Sequence, residues 1–275
     1  MAGQALIEPG RFLDALGIEV ELLLDAAHRN APTARVVTAP GFTVGEVVRH
    51  LGGTYRTARL WILQGGSPRR YQQYPEPGQS TEDYLRTGLA ELLTLLRANG
   101  ADSAAATWWP ADRTIGFWCR RMAHETTIHR IDLQETAALA GERPVAPEPR
   151  SGESPAPIDG PITPVSDDYA VDGVDEVLTL WFVQRLAMLG VSGTAPWSVG
   201  IRTGGHHWIA RAGPGFTEAW RCSPQEARRA DVLVSGTPMR VYLWLWGRRD
   251  HRAVTWNGNA DAAARLWALM RLATK

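Results

Sequence analysis

The segment MAHETTIHRID, residues 122–132, carries residue types that bind metal ions within a run of helical character. A common zinc peptidase motif places two histidines four residues apart, with a glutamate directly after the first. His124 and His129 are instead five residues apart, which separates them by about 140° around a helix. Glu125 and His129 are four residues apart, so both side chains project from one helix face. This spacing predicts that Glu125 and His129 are the ligand pair and that His124 is not needed.

A catalytic metal centre of this kind requires a third protein ligand and one open coordination position. His50 is the best candidate, because it lies in an apolar helical segment where an unpaired buried imidazole would be costly. Asp132 follows His129 by three residues and can accept the second imidazole proton of that histidine. Two histidines and one glutamate suit zinc, although nickel, iron and manganese accept the same donors. We therefore predict a divalent metal centre made by His50, Glu125 and His129.

Simpler interpretations of these residues remain open. His50 can be a satisfied core histidine or a surface residue, and Glu125 with His129 can be an exposed pair that contributes only about a few tenths of a kcal/mol. Arg121 lies one turn before Glu125 and can be a solvated charge, or it can hold a carboxylate of a bound ligand with two hydrogen bonds. We favour the ligand-binding interpretation and predict Arg121 and Asp132 as catalytic residues beside the metal.

The composition bounds the kind of partner. The 275 residues contain 29 Lys and Arg against 29 Asp and Glu, which provides no positive field for nucleic acid or an anionic membrane, so a small-molecule partner is expected. The N-terminal residues lack a signal-peptide pattern, and no apolar run approaches the roughly 20 residues of a membrane span, which predicts a cytoplasmic protein. Cys119 and Cys222 stand in no metal-ligand spacing, and we predict that both are buried thiols of a reducing compartment.

The first half of the chain has the pattern of a helical bundle. Apolar residues recur there at three- and four-residue steps, as they do in helices with one buried face. Thr43 followed by Glu46 is a capping-box pattern and predicts the start of the helix that carries His50. The predicted helices cover residues 11–28, 43–65, 80–99 and 114–140.

Residues 143–168 are rich in Pro, Gly and Ser, which predicts a linker between a bundle at 8–142 and a second domain at 169–275. A helix is expected at 172–189, and it can pack on the bundle although it follows the linker. Short segments of β-forming residues then alternate with turns and two helices, the pattern of a small α+β domain. The predicted strands lie at 197–202, 208–211, 216–222, 232–234 and 254–256, and the helices at 237–246 and 259–272.

Several separate segments resemble one known family. Residues 43–51 and 112–132 resemble the mycothiol-dependent maleylpyruvate isomerase family of DinB-like metalloenzymes, and residues 170–178 and 231–259 resemble the C-terminal part of that family. The resemblance implies a DinB-like four-helix bundle followed by a small α+β domain. It covers most of the chain.

The resemblance also implies a ligand set and a chemistry. Zinc would be bound by a histidine of the second helix and by a glutamate and a histidine of a later one, which correspond to His50, Glu125 and His129. The thiol mycothiol would be the cosubstrate in an actinobacterial cytoplasm, and it would add to a small electrophile or substitute at one. Addition followed by elimination would isomerise a cis alkene, whereas attack at a leaving-group carbon would transfer the thiol.

Two other functions remain open. The same zinc site can activate water in a hydrolase, or the chain can be a non-catalytic ligand-binding protein that kept the fold. A requirement for an added thiol would distinguish the first alternative from a thiol-dependent enzyme. The electrophile and the oligomeric state are not specified by the sequence.

Overall fold

The computed structural model describes residues 4–141 and 162–274. The chain forms two compact units, one comprising Pro9–Thr163 and the other comprising Pro164–Lys275 together with Met1–Glu8. The predicted fold class is confirmed, since a helical N-terminal region precedes a small domain with a mixed sheet. Most of the predicted linker at 143–168 lies outside the described residues.

The N-terminal unit contains the four predicted helices. α1 packs chiefly on α4, and α2 packs chiefly on α3. Phe12, Leu51, Tyr55 and Ile131 are fully buried between them. The helices are α1 (Pro9–His28), α2 (Val44–Gln64), α3 (Thr81–Ala98) and α4 (Ile115–Gly141).

The start of α2 is determined by local sequence, as predicted. The side-chain oxygen of Thr43 accepts a hydrogen bond from the backbone N–H of Glu46 at 3.3 Å. The Glu46 carboxylate in turn accepts from the Thr43 N–H at 2.7 Å. These reciprocal bonds satisfy two of the donors that a helix start leaves open. They therefore fix where α2 begins and how far along it His50 lies.

Helix α4 is the central element of this unit. Between residues 115 and 134 every residue is buried apart from the half-buried Gly116 and Glu125. Some of its polar side chains are paired with neighbouring helices, and Arg130, for example, lies 2.7 Å from Glu19 of α1. A helix that is covered on nearly all sides can hold a polar site in a fixed geometry, because its side chains have little freedom to move.

The C-terminal unit is built on one mixed sheet with the strand order β3-β2-β1-β4-β5. Only β1 and β4 run parallel, and the other neighbouring strands are antiparallel. The strands are β1 (Trp197–Thr203), β2 (His206–Gly213), β3 (Phe216–Arg221), β4 (Val232–Ser235) and β5 (Thr255–Gly258). The helices are α5 (Asp167–Glu176), α6 (Leu186–Met188), α7 (Pro224–Ala227), α8 (Pro238–Leu245) and α9 (Ala260–Ala273).

The helix predicted at 172–189 begins earlier than predicted and contains a π-helical segment. It begins at Asp167 as α5, continues as a π-helix over Val177–Arg185, and ends as α6. The apolar spacing in this segment does not distinguish an α-helix from the wider π-helix. The buried Asp175 just before the widening accepts hydrogen bonds from Trp208 and Arg221 of the sheet, which anchors the helix to its own unit.

The two cysteines have different environments, so the prediction that both are buried is wrong for one of them. Cys119 lies in α4 and is 2% exposed, whereas Cys222 is only half-buried. Cys222 directly follows β3, which is an edge strand and has a neighbour on one side only. None of the described helices combines the length and the apolar character needed to cross a bilayer.

Candidate metal centre

The three predicted ligands converge. His50 of α2 and Glu125 and His129 of α4 each offer a donor atom, and these atoms lie within 4.8 Å of one another. Oε1 of Glu125 is 3.1 Å from Nε2 of His50 and 3.5 Å from Nε2 of His129. Tetrahedral zinc with bonds of about 2.0–2.1 Å holds its ligand atoms about 3.3 Å apart. The two nitrogen–oxygen spacings match that value, so the donor set fits a zinc-sized cation.

His124 lies elsewhere on the same helix. It is fully buried, and its ring meets Phe12 of α1 edge-on at a centroid distance of 5.7 Å. The five-residue step from His129 turns it towards α1, as helix geometry requires. His124 therefore is not in the ligand cluster.

Glu125 is held by Arg121, one turn earlier on α4. Nη2 of Arg121 donates to Oε2 of Glu125 at 2.7 Å, and the Arg121 side chain is 3% exposed. Burial raises the pKa of the Glu125 carboxyl, but hydrogen bonds from His129 and His50 and the charge of Arg121 together hold this pKa well below its usual range. The carboxyl group is thus ionised, as a metal ligand must be. Arg121 contacts Glu125 of its own helix, whereas its position in the sequence suggested a contact with a carboxylate of the bound ligand.

His129 is supported from behind by Asp132. Its Nδ1 lies 3.3 Å from Oδ2 of Asp132, whose side chain is completely buried. Burial lowers the pKa of His129, but the carboxylates of Asp132 and Glu125 outweigh it and raise this pKa to about 9. The metal-free imidazole is therefore protonated near neutral pH, and a cation that binds Nε2 must displace that proton. Once it is displaced, the carboxylate at Nδ1 favours the tautomer that keeps the other proton there.

The loop between α1 and α2 forms one wall of the centre. The ring of Phe42 lies 5.3 Å from that of His50 and 5.9 Å from that of His129. The hydroxyl of Thr38 donates to Oδ1 of Asp132 at 2.5 Å. Neither Phe42 nor Thr38 was predicted from the sequence, because no spacing relates this loop to α4.

A cavity of about 260 Å³ opens beside the centre. His50 contributes to its wall, and Arg49 is its permanently charged group, with the guanidinium 4.8 Å from the ring centroid of Tyr74. The lining residues are Arg49, His50, Gly53, Thr54, Thr57, Tyr71 and Gln73. A small polar or anionic molecule matches a wall of this chemistry.

The outer wall of this cavity is anchored from the bundle. Nε of the buried Arg56 donates to the side-chain oxygen of Gln72 at 3.1 Å, and the hydroxyl of Tyr84 donates to the Gln72 carbonyl at 2.5 Å. Gln72 lies between the two lining residues Tyr71 and Gln73. The loop is consequently held in place before any ligand arrives, which reduces the entropy cost of binding.

Comparisons with known proteins agree with this architecture. Residues 13–134 match the family described as mycothiol maleylpyruvate isomerase N-terminal domain. Among solved structures, a histidine-to-alanine variant of a mycothiol-dependent maleylpyruvate isomerase aligns with 92% of this chain and 95% of its own chain, with a TM-score of 0.52 and 12% sequence identity. That likeness shows the same fold. No functionally curated protein matches the sequence significantly.

Proposed function

We propose that this chain, whose residues 13–134 match the mycothiol maleylpyruvate isomerase N-terminal domain, is a zinc enzyme that adds mycothiol to a small electrophile. The match of residues 13–134 to this family and the shared fold support an isomerase-like enzyme. The zinc, the identity of the electrophile and the reaction outcome are our proposal. A cytoplasmic location follows as part of it, because low-molecular-weight thiols are kept reduced inside cells.

One observation carries the proposal. Two imidazole nitrogens approach a single carboxylate oxygen at 3.1 and 3.5 Å, and the second oxygen of that carboxylate is occupied by Arg121. An ordinary ion pair joins one histidine to one carboxylate and does not require a second imidazole at the same oxygen. Three protein ligands leave one position of a tetrahedral ion open, which is the arrangement of a catalytic rather than a structural site.

A divalent cation bound by these residues would lower the pKa of a thiol that reaches it and so supply a nucleophile near neutral pH. The residues of the chain orient the reactants. Arg121 keeps Glu125 in one rotamer, and Asp132 keeps His129 in one tautomer. The electrophile would occupy the cavity beside His50, where Arg49 would attract an anionic substituent.

The thiol sulfur would form a bond to an electron-poor carbon of the electrophile. If that carbon belongs to an activated double bond, the π electrons move to the activating group, the remaining single bond rotates, and loss of the thiolate restores the double bond in the trans geometry. If the carbon carries a leaving group, that group departs with its bonding electrons and a thioether remains. The isomerisation consumes no thiol, whereas the substitution consumes one equivalent.

The test begins with the zinc content of the purified protein and a calorimetric titration of mycothiol into the zinc-loaded form. We expect near-stoichiometric zinc and saturable thiol binding. Maleylpyruvate, the substrate named for the structural relative, is then the first electrophile to assay with and without mycothiol. Zinc without thiol binding would favour a hydrolase, and failure to bind zinc after reconstitution would overturn the proposal.

A further inference from the structure

The loop at residues 36–42, between α1 and α2, contacts every histidine of the proposed centre. Val36, at the start of this loop, is completely buried and its N–H donates to the carbonyl of Phe42 at 3.0 Å, which closes the loop on itself. A second connection runs to α4, where the N–H of Val37 lies 3.4 Å from the hydroxyl of Thr136. The loop is thus attached both to itself and to the helix that carries two of the ligands.

Thr38 supplies the contact that bears on the ligands. Its hydroxyl donates to Oδ1 of Asp132 at 2.5 Å, while Oδ2 of the same carboxylate lies 3.3 Å from Nδ1 of His129. The two oxygens of Asp132 therefore face different partners. Because a carboxylate is planar, holding one oxygen fixes the direction of the other. The hydroxyl of Thr38 thereby helps to fix where Asp132 presents its acceptor to His129.

Phe42, at the end of the loop, contacts both histidines of the centre. Its ring lies within 6 Å of both histidine rings, and the rings of His50 and His129 are themselves 5.1 Å apart at an angle of 74°. These ring contacts restrict the orientations of the two imidazoles.

We propose that the 36–42 loop is a positioning clamp for the metal ligands, in which Thr38 orients Asp132 and so His129, and Phe42 fixes the planes of His50 and His129. This inference rests on the proposed function, since it concerns the same centre. Removing a polar group that faces the second nitrogen of a ligating histidine commonly changes metal affinity by about 10–100-fold. Thr38 acts one bond further away, through the carboxylate.

The test compares Thr38→Val, Thr38→Ser and wild type. The dissociation constant for Zn²⁺ would be measured by competition with a chromophoric chelator, and Co²⁺ would be substituted so that its visible spectrum reports the ligand geometry. We expect Thr38→Val to weaken Zn²⁺ binding by about tenfold or more and to alter the Co²⁺ spectrum. Thr38→Ser keeps the hydroxyl and should behave like wild type.

Thr136→Val is the matched control. The Thr136 hydroxyl donates to the backbone carbonyl of Asp132 at 2.8 Å and accepts from Val37, so its loss loosens the loop without touching the Asp132 carboxylate. Thermal melting of each metal-free variant reports on folding. The expected result is a smaller loss of affinity in Thr136→Val than in Thr38→Val.

Phe42→Ala and Phe42→Leu test the other half of the clamp. The alanine variant should release Zn²⁺ to excess chelator faster than wild type, and the leucine variant, which keeps most of the apolar volume, should lie between them. Unchanged release in Phe42→Ala would overturn the role of Phe42. Equal losses in Thr38→Val and Thr136→Val, or wild-type Zn²⁺ affinity in Thr38→Val, would overturn the role of Thr38.

These outcomes separate the clamp from the proposed function. If wild type binds Zn²⁺ and mycothiol while the loop variants behave identically, the clamp is wrong and the proposed function stands. If wild type binds no Zn²⁺ after reconstitution, both are wrong.

Discussion

Arg121 and the two histidines contact different oxygens of Glu125. Nη2 of Arg121 lies 2.7 Å from Oε2, while Nε2 of His50 and Nε2 of His129 both approach Oε1. One oxygen of the carboxylate therefore contacts the permanently charged Arg121, and the other contacts the two imidazoles. This division leaves Oε1 as the atom available to a metal ion, and it makes Arg121 a positioning residue.

Replacing Arg121 should lower the affinity of the centre for Zn²⁺, because Arg121 holds Glu125 in place. In Arg121→Met the Glu125 carboxylate loses a charged hydrogen bond, which lowers the free energy of unfolding by about 2–3 kcal/mol, and it gains rotational freedom. We expect weaker Zn²⁺ binding as well as the lower stability, measured by chelator competition and by urea unfolding of the metal-free protein. Arg121→Lys keeps the charge and should recover part of both. Full Zn²⁺ affinity in Arg121→Met would contradict this role.

Removal of any one ligand should abolish metal retention. His50→Ala, Glu125→Gln and His129→Ala are expected to lose zinc on gel filtration, because two remaining ligands bind a divalent ion weakly. Glutamine is chosen at position 125 because it still offers a carbonyl oxygen to Arg121. Elemental analysis provides the measurement, and circular dichroism should show retained helix.

His28→Ala is the control for these ligand variants. His28 lies on the same bundle, where its ring is 2.9 Å from Glu82 and mostly exposed. Its removal should leave the zinc content unchanged. Stoichiometric zinc in any variant of the three ligands would remove that residue from the ligand set.

Arg49 should affect substrate affinity and leave the metal in place. Its guanidinium lies in the wall of the cavity beside His50, with a single weak hydrogen bond to the Gln73 carbonyl at 3.4 Å. We expect Arg49→Gln to raise KM for an anionic electrophile roughly tenfold or more, as the loss of a charged hydrogen bond implies, with unchanged zinc content. An uncharged ester of the same electrophile should show no such difference. If the wild type had the same KM for the anionic electrophile and for its uncharged ester, this would contradict a role for the charge of Arg49.

The thiols of the chain should not replace the external nucleophile. Burial raises the pKa of Cys119 to about 12, so little of this thiol carries the reactive thiolate near neutral pH. We expect iodoacetamide to label Cys222 in the native protein and to label Cys119 only after unfolding, as read by mass spectrometry. Because a raised pKa delays ionisation, labelling of Cys222 should increase as the pH rises. Rapid native labelling in Cys222→Ser would contradict the buried state of Cys119.

Gly52 should tolerate no side chain, because α2 and α3 are in close contact there. A Cβ atom at Gly52 would lie 2.5 Å from the ring of Tyr84 and 3.3 Å from Cα of Leu85. We expect Gly52→Ala to lower the free energy of unfolding by about 1–3 kcal/mol, as overpacking does. Gly17→Ala in α1 is the control, since nothing lies within 4 Å of its Cβ, and better helix propensity should stabilise it by about 0.5–1 kcal/mol. Urea unfolding measures both, and equal effects would contradict the packing argument.

Local features of this protein were predictable from the sequence. The capping bonds of Thr43 and Glu46 join residues three positions apart, and Glu125 and His129 share a helix face by virtue of the helical repeat alone. The strands after residue 196 were also recognisable from β-forming residues between turns. Such features depend on short stretches of backbone, so their physical causes are contained in the adjacent residues.

The tertiary structure alone decided which of these features meet. His50 and Glu125 are 75 residues apart, and Thr38 and Asp132 are 94 residues apart, so only the packing of α2 and of the 36–42 loop on α4 brings them into contact. The spacing of Arg121 placed it within reach of Glu125. Whether its guanidinium contacts solvent, substrate or Glu125 depends on burial. Neighbouring helices create that burial. Removing water makes an unpaired charge costly, so each buried polar group turns to the nearest partner.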